Sequence, residues 1–213
     1  FSVASRDDVI WSDAGKFATD PVDVVTQILL AENAEGTVFV PDSASAAAAV
    51  SDWRESSFDD GNWFSGTTGF GYDTSGTFSE FVTTDIEDMV LDVNTTLYVR
   101  VPFRAGIDPD SVEHLTLRMR YDDAFVAYLN GAEIARSDNA PTDDPAWNAV
   151  APERRNNALA VQFSDFDITD SLENLRAGDN LLAILGVNLQ LDSRDLLISP
   201  EIVATTRSDN YSR

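Results

Sequence analysis

The feature that most constrains the fold is a strict alternation of apolar and polar side chains in the middle of the chain. Residues 97–103 and 112–121 both alternate in this way, which is the pattern of a β-strand with one buried face. Asn130-Gly131 separates two further short apolar runs. Because both residues tolerate a positive φ, this dipeptide is a strong signal for a tight β-hairpin. The middle of the chain is therefore predicted to form antiparallel strands.

The rest of the sequence favours strands over helices. Further strands are predicted at residues 125–129, 132–136, 159–168, 181–187 and 196–204, with one helical turn at residues 172–175. The Ala/Ser segment 43–50 is predicted to be a loop and residues 73–96 an exposed excursion. Short strands with long connections indicate an all-β protein, a β-sandwich with a jelly-roll path. We expect one domain over residues 24–205, with an irregular segment (1–23) packed on it and a polar tail (206–213).

The charge balance excludes two classes of partner. The 213 residues include 14 basic and 37 acidic side chains, for a net charge of −23. Such a chain repels phosphate, so we expect no nucleic acid as partner. No apolar run approaches the roughly 18 residues of a membrane span, so no membrane insertion is expected either. The absence of cysteine removes disulfides and thiol chemistry.

The sequence offers little for catalysis. His114 is the only histidine, and no Gly-x-Ser-x-Gly motif accompanies it, so a Ser-His-Asp triad is not indicated. Pairs of carboxylates can cleave glycosidic bonds, but with 37 acids a pair has no meaning without geometry. We therefore expect a protein that is not an enzyme, with a small glycan-active hydrolase or lyase as the less favoured alternative.

Three segments in this order resemble the galactose-binding-like jelly-roll modules attached to bacterial secreted enzymes and surface proteins. They are the aromatic and glycine-rich residues 53–72, residues 98–136 with Asp122-Asp123 and Asn130-Gly131, and residues 175–184. The resemblance covers about residues 50–200. It implies a carbohydrate-binding module with a polysaccharide or oligosaccharide as ligand, in a secreted or cell-surface bacterial protein with covalently attached catalytic or surface domains. A structural spacer or protein-interaction sandwich without sugar binding is the alternative from another class.

The adjacent carboxylates Asp122 and Asp123 are the candidate metal ligands. Calcium prefers carboxylate and carbonyl oxygens, and two acids at the end of a strand supply them. The galactose-binding-like resemblance also implies a structural calcium ion in the Asp-rich loops. A ligand-bridging calcium is implied by a separate resemblance, since a similar Asp-Asp arrangement in another lectin-like sandwich family binds calcium and, through it, sugar hydroxyls. The alternative is that the two side chains accept hydrogen bonds from backbone N–H groups of the connection.

The candidate sugar ligands lie mainly in one polar connection. Trp147 stands in a loop where burial is hard to arrange, and an exposed indole can stack on the apolar face of a pyranose ring. Asn148, Arg154 and Arg155 follow it and can donate hydrogen bonds to hydroxyl groups. The alternative is that Trp147 pins its own loop to the sandwich. Tyr72 is a second stacking candidate.

Arg118 and Arg120 share one face of a predicted strand. If that face is open, the two guanidinium groups can bind carboxylated or sulfated sugars through paired N–H donors. The alternative is that they form ion pairs with acids of this acidic protein.

Overall fold

The computed structural model describes residues 23–208, and most of its regular structure is β-strand. The strands are β1 (Asp23–Leu30), β2 (Glu35–Phe39), β3 (Phe64–Thr67), β4 (Phe70–Asp73), β5 (Thr84–Asp85), β6 (Thr96–Ala105), β7 (Val112–Asp122), β8 (Ala124–Leu129), β9 (Ala132–Arg136), β10 (Ser164–Asp167), β11 (Gly178–Val187) and β12 (Asp195–Ser208). The helices are α1 (Ala44–Ala49), α2 (Glu87–Val90) and α3 (Asn157–Ala160), with 3-10 turns at Pro109–Ser111 and Thr169–Asn174. Of the predicted flanking segments, residues 1–22 and 209–213 lie outside the described residues.

The strands form two six-stranded sheets packed face to face. Sheet A has the order β10-β7-β12-β4-β5, with β1 paired to β12, and sheet B has the order β3-β2-β6-β11-β8-β9. From β6 onwards the chain crosses from one sheet to the other at nearly every connection, as in a jelly roll. The predicted all-β sandwich is confirmed.

The alternation in the sequence places the core between the sheets. Leu115, Leu117 and Met119 of β7 are fully buried against the facing strands, while the side chains between them point outward. The predicted hairpin is also present, since Asn130 and Gly131 have φ values of 51° and 96° between β8 and β9.

Two predictions of local structure are wrong in detail. Residues 159–168 were predicted as one strand, but only Ser164–Asp167 is extended. The preceding residues form α3, because the Asn156 side chain accepts from the Ala158 N–H and caps a helical turn. The Ala/Ser segment forms α1 rather than a loop, since Ser43 caps it in the same way.

Residues 73–96 are not an exposed excursion. Phe78, Ile86 and Val90 in this segment are at most 1% exposed, and α2 lies between the latter two. The final strand also runs further than predicted, to Ser208, because its last residues pair with β1. Within residues 23–208 no helix is long and apolar enough to cross a membrane.

Candidate functional site

The connection between β9 and β10 crosses one end of the sandwich. The Ala151 N–H donates to the Asn188 carbonyl at 2.9 Å, and the Arg155 N–H donates to Asp123 Oδ1 at 2.9 Å. These bonds bring the connection over the start of β6 and the ends of β7 and β11, which meet at this end. We call this surface the loop end; it comprises residues 94–96, 122–123, 147–157 and 188–195.

Trp147 lies on a fixed backbone at the loop end. Its carbonyl oxygen accepts hydrogen bonds from the Asn94 side-chain amide at 2.9 Å and from the Thr96 hydroxyl, and both donor residues are buried. The indole itself is half-buried. Among residues 23–208, no aromatic ring pairs with it, and it belongs to none of the three apolar clusters. The loop is therefore pinned through its main chain, and Trp147 stays partly exposed.

Asn148 and Arg154 are exposed at the same end. The Arg154 side chain is 59% exposed, and its guanidinium lies 3.7 Å from the carboxylate of the buried Asp195. Arg154 separates two shallow depressions with volumes of about 320 Å³ and about 160 Å³. The structure thus brings these two predicted donors to one surface with Trp147.

Arg155, predicted as a hydrogen-bond donor to sugar, and Tyr72, predicted as a stacking ring, are both occupied by contacts within the protein. The Arg155 guanidinium donates to the Tyr121 hydroxyl at 2.6 Å and to Ser164 Oγ at 2.8 Å, and it lies 3.8 Å from the Tyr121 ring. It therefore ties the connection to sheet A and is not a free donor. Tyr72 is 1% exposed and donates its hydroxyl to the Ser193 carbonyl at 2.9 Å, so its ring is not available for stacking.

The strand face with Arg118 and Arg120 is not open either. Arg118 pairs with Asp165 at 3.2 Å and with the buried Glu201. Arg120 pairs with Glu32, and its guanidinium lies over the ring of Phe163. The prediction of an anion-binding face is wrong because the segment around β10 covers it, and the alternative of ion pairing is confirmed.

Asp122 and Asp123 are both 1% exposed but differ in their partners. The two carboxylate oxygens of Asp123 accept the N–H groups of Arg155 and Leu189, each at 2.9 Å, so this residue caps the backbone. Both oxygens of Asp122 are buried without a hydrogen-bond partner in the described chain. Burial first, and then the nearby charges of Asp123 and Asp195, raise the pKa of Asp122 to about 9.

The fit of this pair to a calcium ion is limited. Within the described residues, no group of three or more acidic or histidine side chains is placed to hold a metal. Calcium takes about six to eight oxygen ligands. Because Asp123 is committed to the backbone, Asp122 is the part of the pair with oxygens left to bind a hard cation.

Three buried polar residues of the loop end were not predicted as site residues: the amides Asn94 and Asn188 and the acid Asp195. Asn94 and Asn188 are at most 3% exposed; Asn94 fixes the Trp147 carbonyl, and the Asn188 amide lies 3.3 Å from the Asp195 carbonyl. Asn94 lies just before β6 and Asn188 just after β11. Asn side chains at such positions often bond to the backbone, and this is the signal that could have identified them.

Comparisons with known proteins give a similar fold only in part of larger chains. No protein-family profile and no curated protein matches the sequence. Among solved structures, Bacteroides uniformis beta-glucuronidase 2 bound to a cyclophellitol-6-carboxylate aziridine has 15% identity and a TM-score of 0.49 over 85% of this chain and 18% of its own. A beta-glucuronidase from an uncultured Clostridium sp. has 15% identity and a TM-score of 0.49 over 87% of this chain and 30% of its own. This chain thus spans less than a third of either enzyme, and a similarity at this level says nothing about its activity.

Proposed function

We propose that the chain is a non-catalytic carbohydrate-binding module and that the loop end holds the sugar. The observation that carries this proposal is the partly exposed Trp147 indole on a main chain fixed by Asn94 and Thr96. A ring held in place loses little freedom when it stacks on a pyranose. Asn148, the next residue, and Arg154, exposed at the same loop end, supply donors for the hydroxyl groups.

The β1–β12 ladder extends away from the loop end. Asp23 and Ser208 are register partners in the β1–β12 ladder, whereas the first residues of β12 lie beside Asp122 at the loop end. Extended chain rises about 3.3 Å per residue, so β12 spans roughly 40 Å between these ends. Tethering this module to other domains would raise the local concentration of the polysaccharide around them. We propose such attached catalytic or surface domains, in a secreted or cell-surface bacterial protein.

Calcium enters the proposal as an ion bound by the Asp122 oxygens. Nothing in residues 23–208 donates to the buried carboxylate of Asp122, which lies next to Asp123 and Asp195, so a proton or a cation must balance its charge. When bound, calcium would supply that positive charge and hold the acidic residues together. The same burial argues against Asp122 as a catalytic acid, since at 1% exposure no substrate reaches it.

Replacing Trp147 by alanine tests the site. We expect the affinity for a bound polysaccharide to fall at least about tenfold, or ~1.4 kcal/mol, because the stacking surface is removed. The free energy of unfolding should fall by less than the roughly 3–5 kcal/mol of a fully buried tryptophan, since Trp147 is partly exposed and the pinning bonds use its carbonyl. Affinity electrophoresis and urea denaturation measure the two quantities.

Trp53→Ala is the matched control for this variant. Trp53 is 4% exposed and stacks on Tyr98, so its replacement should cost about 3–5 kcal/mol of stability. A Trp147→Ala protein that keeps its affinity would show that the sugar binds elsewhere on the chain. One that loses as much stability as Trp53→Ala would show that Trp147 is a packing anchor, as a spacer or protein-interaction module expects.

A further inference from the structure

A second feature able to bind a ligand lies on the flank of the sandwich, away from the loop end. The outward side of sheet B is covered over part of its area by an aromatic cluster that includes Trp53, Trp63 and Tyr98. The part around Pro102 of β6 is left open. Two depressions of about 580 Å³ and about 360 Å³ adjoin there, and both are lined by Pro102 and Asp60. We call them together the flank trough.

The larger depression is lined by small and hydroxyl-bearing side chains. Thr37 of β2 stands opposite Ser65 of β3 in the register of these two strands, and Thr67 follows two residues later on the same face. Gly36 and Gly66 alternate with these residues, so a side chain at either position would point to the opposite face, towards the Arg100 carbonyl or Thr84, and only their backbone lines the space. The lining therefore offers hydroxyl groups along a floor without bulky residues.

Asp60 at the junction of the two depressions is held in place. Its Oδ2 accepts from the Thr37 hydroxyl at 2.8 Å and from Arg100 Nε at 2.7 Å, and the Arg100 side chain is only 4% exposed. Burial opposes the charge of Asp60, but the hydrogen bonds from Arg100 and Thr37 outweigh it and hold its pKa below the usual range. The trough thus contains a fixed, charged acceptor supported by a buried cation.

The smaller depression adds an aromatic wall and further polar groups. Phe58 is half-buried there, with its ring 5.2 Å from the Arg100 guanidinium. Arg176 lines the same depression from the turn before β11. Asn180, in β11, also lines it, but its side-chain amide is bonded to Asn130 and to the backbone of Arg176 and Gly178. An aromatic wall with a few placed polar groups is the common composition of a carbohydrate site.

We propose that the flank trough is a second carbohydrate site and that it binds an extended, uncharged glycan chain. Two depressions that continue past Pro102 suit several sugar units in a row better than a single ring. The carboxylates of Glu35, Asp60 and Asp179 outnumber the guanidinium groups of Arg100 and Arg176 in the lining, and with the net charge of −23 they disfavour an anionic glycan. The inference rests on the proposed function for its ligand class, but it concerns a different surface: Pro102 lies six residues, or roughly 20 Å, along β6 from Thr96.

A substitution that fills the trough tests the inference. Ser65 is exposed on β3, and tyrosine is favoured in strands, so Ser65→Tyr should fold normally while its ring occupies the larger depression. Ser45→Tyr, at an exposed position of α1 outside the trough, is the matched control. Isothermal titration with uncharged hexasaccharides of β-1,4-glucan, β-1,3-glucan, β-1,4-mannan and β-1,4-xylan measures the number of sites.

The expected result is two hexasaccharides per chain for the wild type and for Ser45→Tyr, and one for Ser65→Tyr. Trp147→Ala should lose the other site. An unchanged number of sites in Ser65→Tyr overturns the flank trough, while loss of binding in Trp147→Ala would still uphold the loop end. If Ser65→Tyr loses one site and Trp147→Ala keeps both, the flank trough is upheld and the loop end is overturned. Absence of binding by all four hexasaccharides contradicts both sites for uncharged glycans.

Discussion

Replacing Arg100 by alanine is expected to lower the free energy of unfolding by about 3–5 kcal/mol, the range for breaking a buried ionic network from one side. The guanidinium, 4% exposed, donates to the carbonyl oxygens of Trp53, Glu55 and Phe58 and to the carboxylate of Asp60. Without it these acceptors lose their donor in a largely buried setting. The segment between α1 and β3 has no long helix or strand of its own and depends on this anchor.

Arg104→Ala is the matched control, four residues further along the same face of β6. Its side chain is 76% exposed, and its ion pair with Asp179 at 3.0 Å lies in solvent. Such pairs contribute about 0–1 kcal/mol, so stability should hardly change. Urea denaturation compares the two variants. Equal losses of stability would show that Arg100 does not anchor the segment.

Replacing Asp122 by asparagine is expected to change how stability depends on pH. The pKa of Asp122 is about 9 in the folded protein, against 3.8 for an ordinary aspartate. The unfolded chain therefore releases this proton at lower pH than the folded chain does. The stability tied to the proton is complete below pH 4 and is lost as the pH rises towards 9, by up to about 1.4 kcal/mol per pH unit. Asparagine does not ionise, so the variant should exceed the wild type in stability in EDTA at neutral pH and above.

Calcium should act on the same residue. Under the proposed cation binding, millimolar calcium raises the melting temperature of the wild type and leaves that of Asp122→Asn unchanged, because ligand binding to the folded state stabilises it. Asp52→Asn, at an exposed position, is the control and should follow the wild type in both experiments. Parallel pH profiles for wild type and Asp122→Asn would show that Asp122 is not a buried acid without a partner.

The fold was predictable where side chains alternate over whole strands. In β7 and in the β8–β9 hairpin the period of two and the Asn130-Gly131 turn determine the local structure. In residues 73–96 the buried side chains Phe78, Ile86 and Val90 are separated by irregular polar stretches, so no period marks them as core. Their burial depends on the neighbouring sheet, which local sequence does not describe.

The candidate site could be predicted from the sequence only for residues that are close together along the chain, because such residues also lie close together in space. Trp147, Asn148 and Arg154 share one connection, and the structure places them at one end of the sandwich. Tyr72 and Arg155 were misassigned because the sequence does not show which carbonyl or hydroxyl lies within reach of a polar group. Tyr72 bonds to Ser193, which is distant in the sequence, and Arg155 bonds to Tyr121 of β7 and Ser164 of β10.

A polysaccharide binding screen, run with calcium and again with EDTA, tests the central claim most directly. The probes are soluble glucans, xylans, mannans and uronic-acid polymers in affinity electrophoresis. We expect at least one polymer to retard the wild type, and to bind Trp147→Ala at least about tenfold more weakly. Binding by the wild type should also be weaker in EDTA than in calcium. Retention of binding in EDTA would show that sugar binding does not require calcium, while the stacking site at Trp147 would stand. No retardation by any polymer in either buffer would contradict carbohydrate binding and indicate a spacer or protein-interaction module.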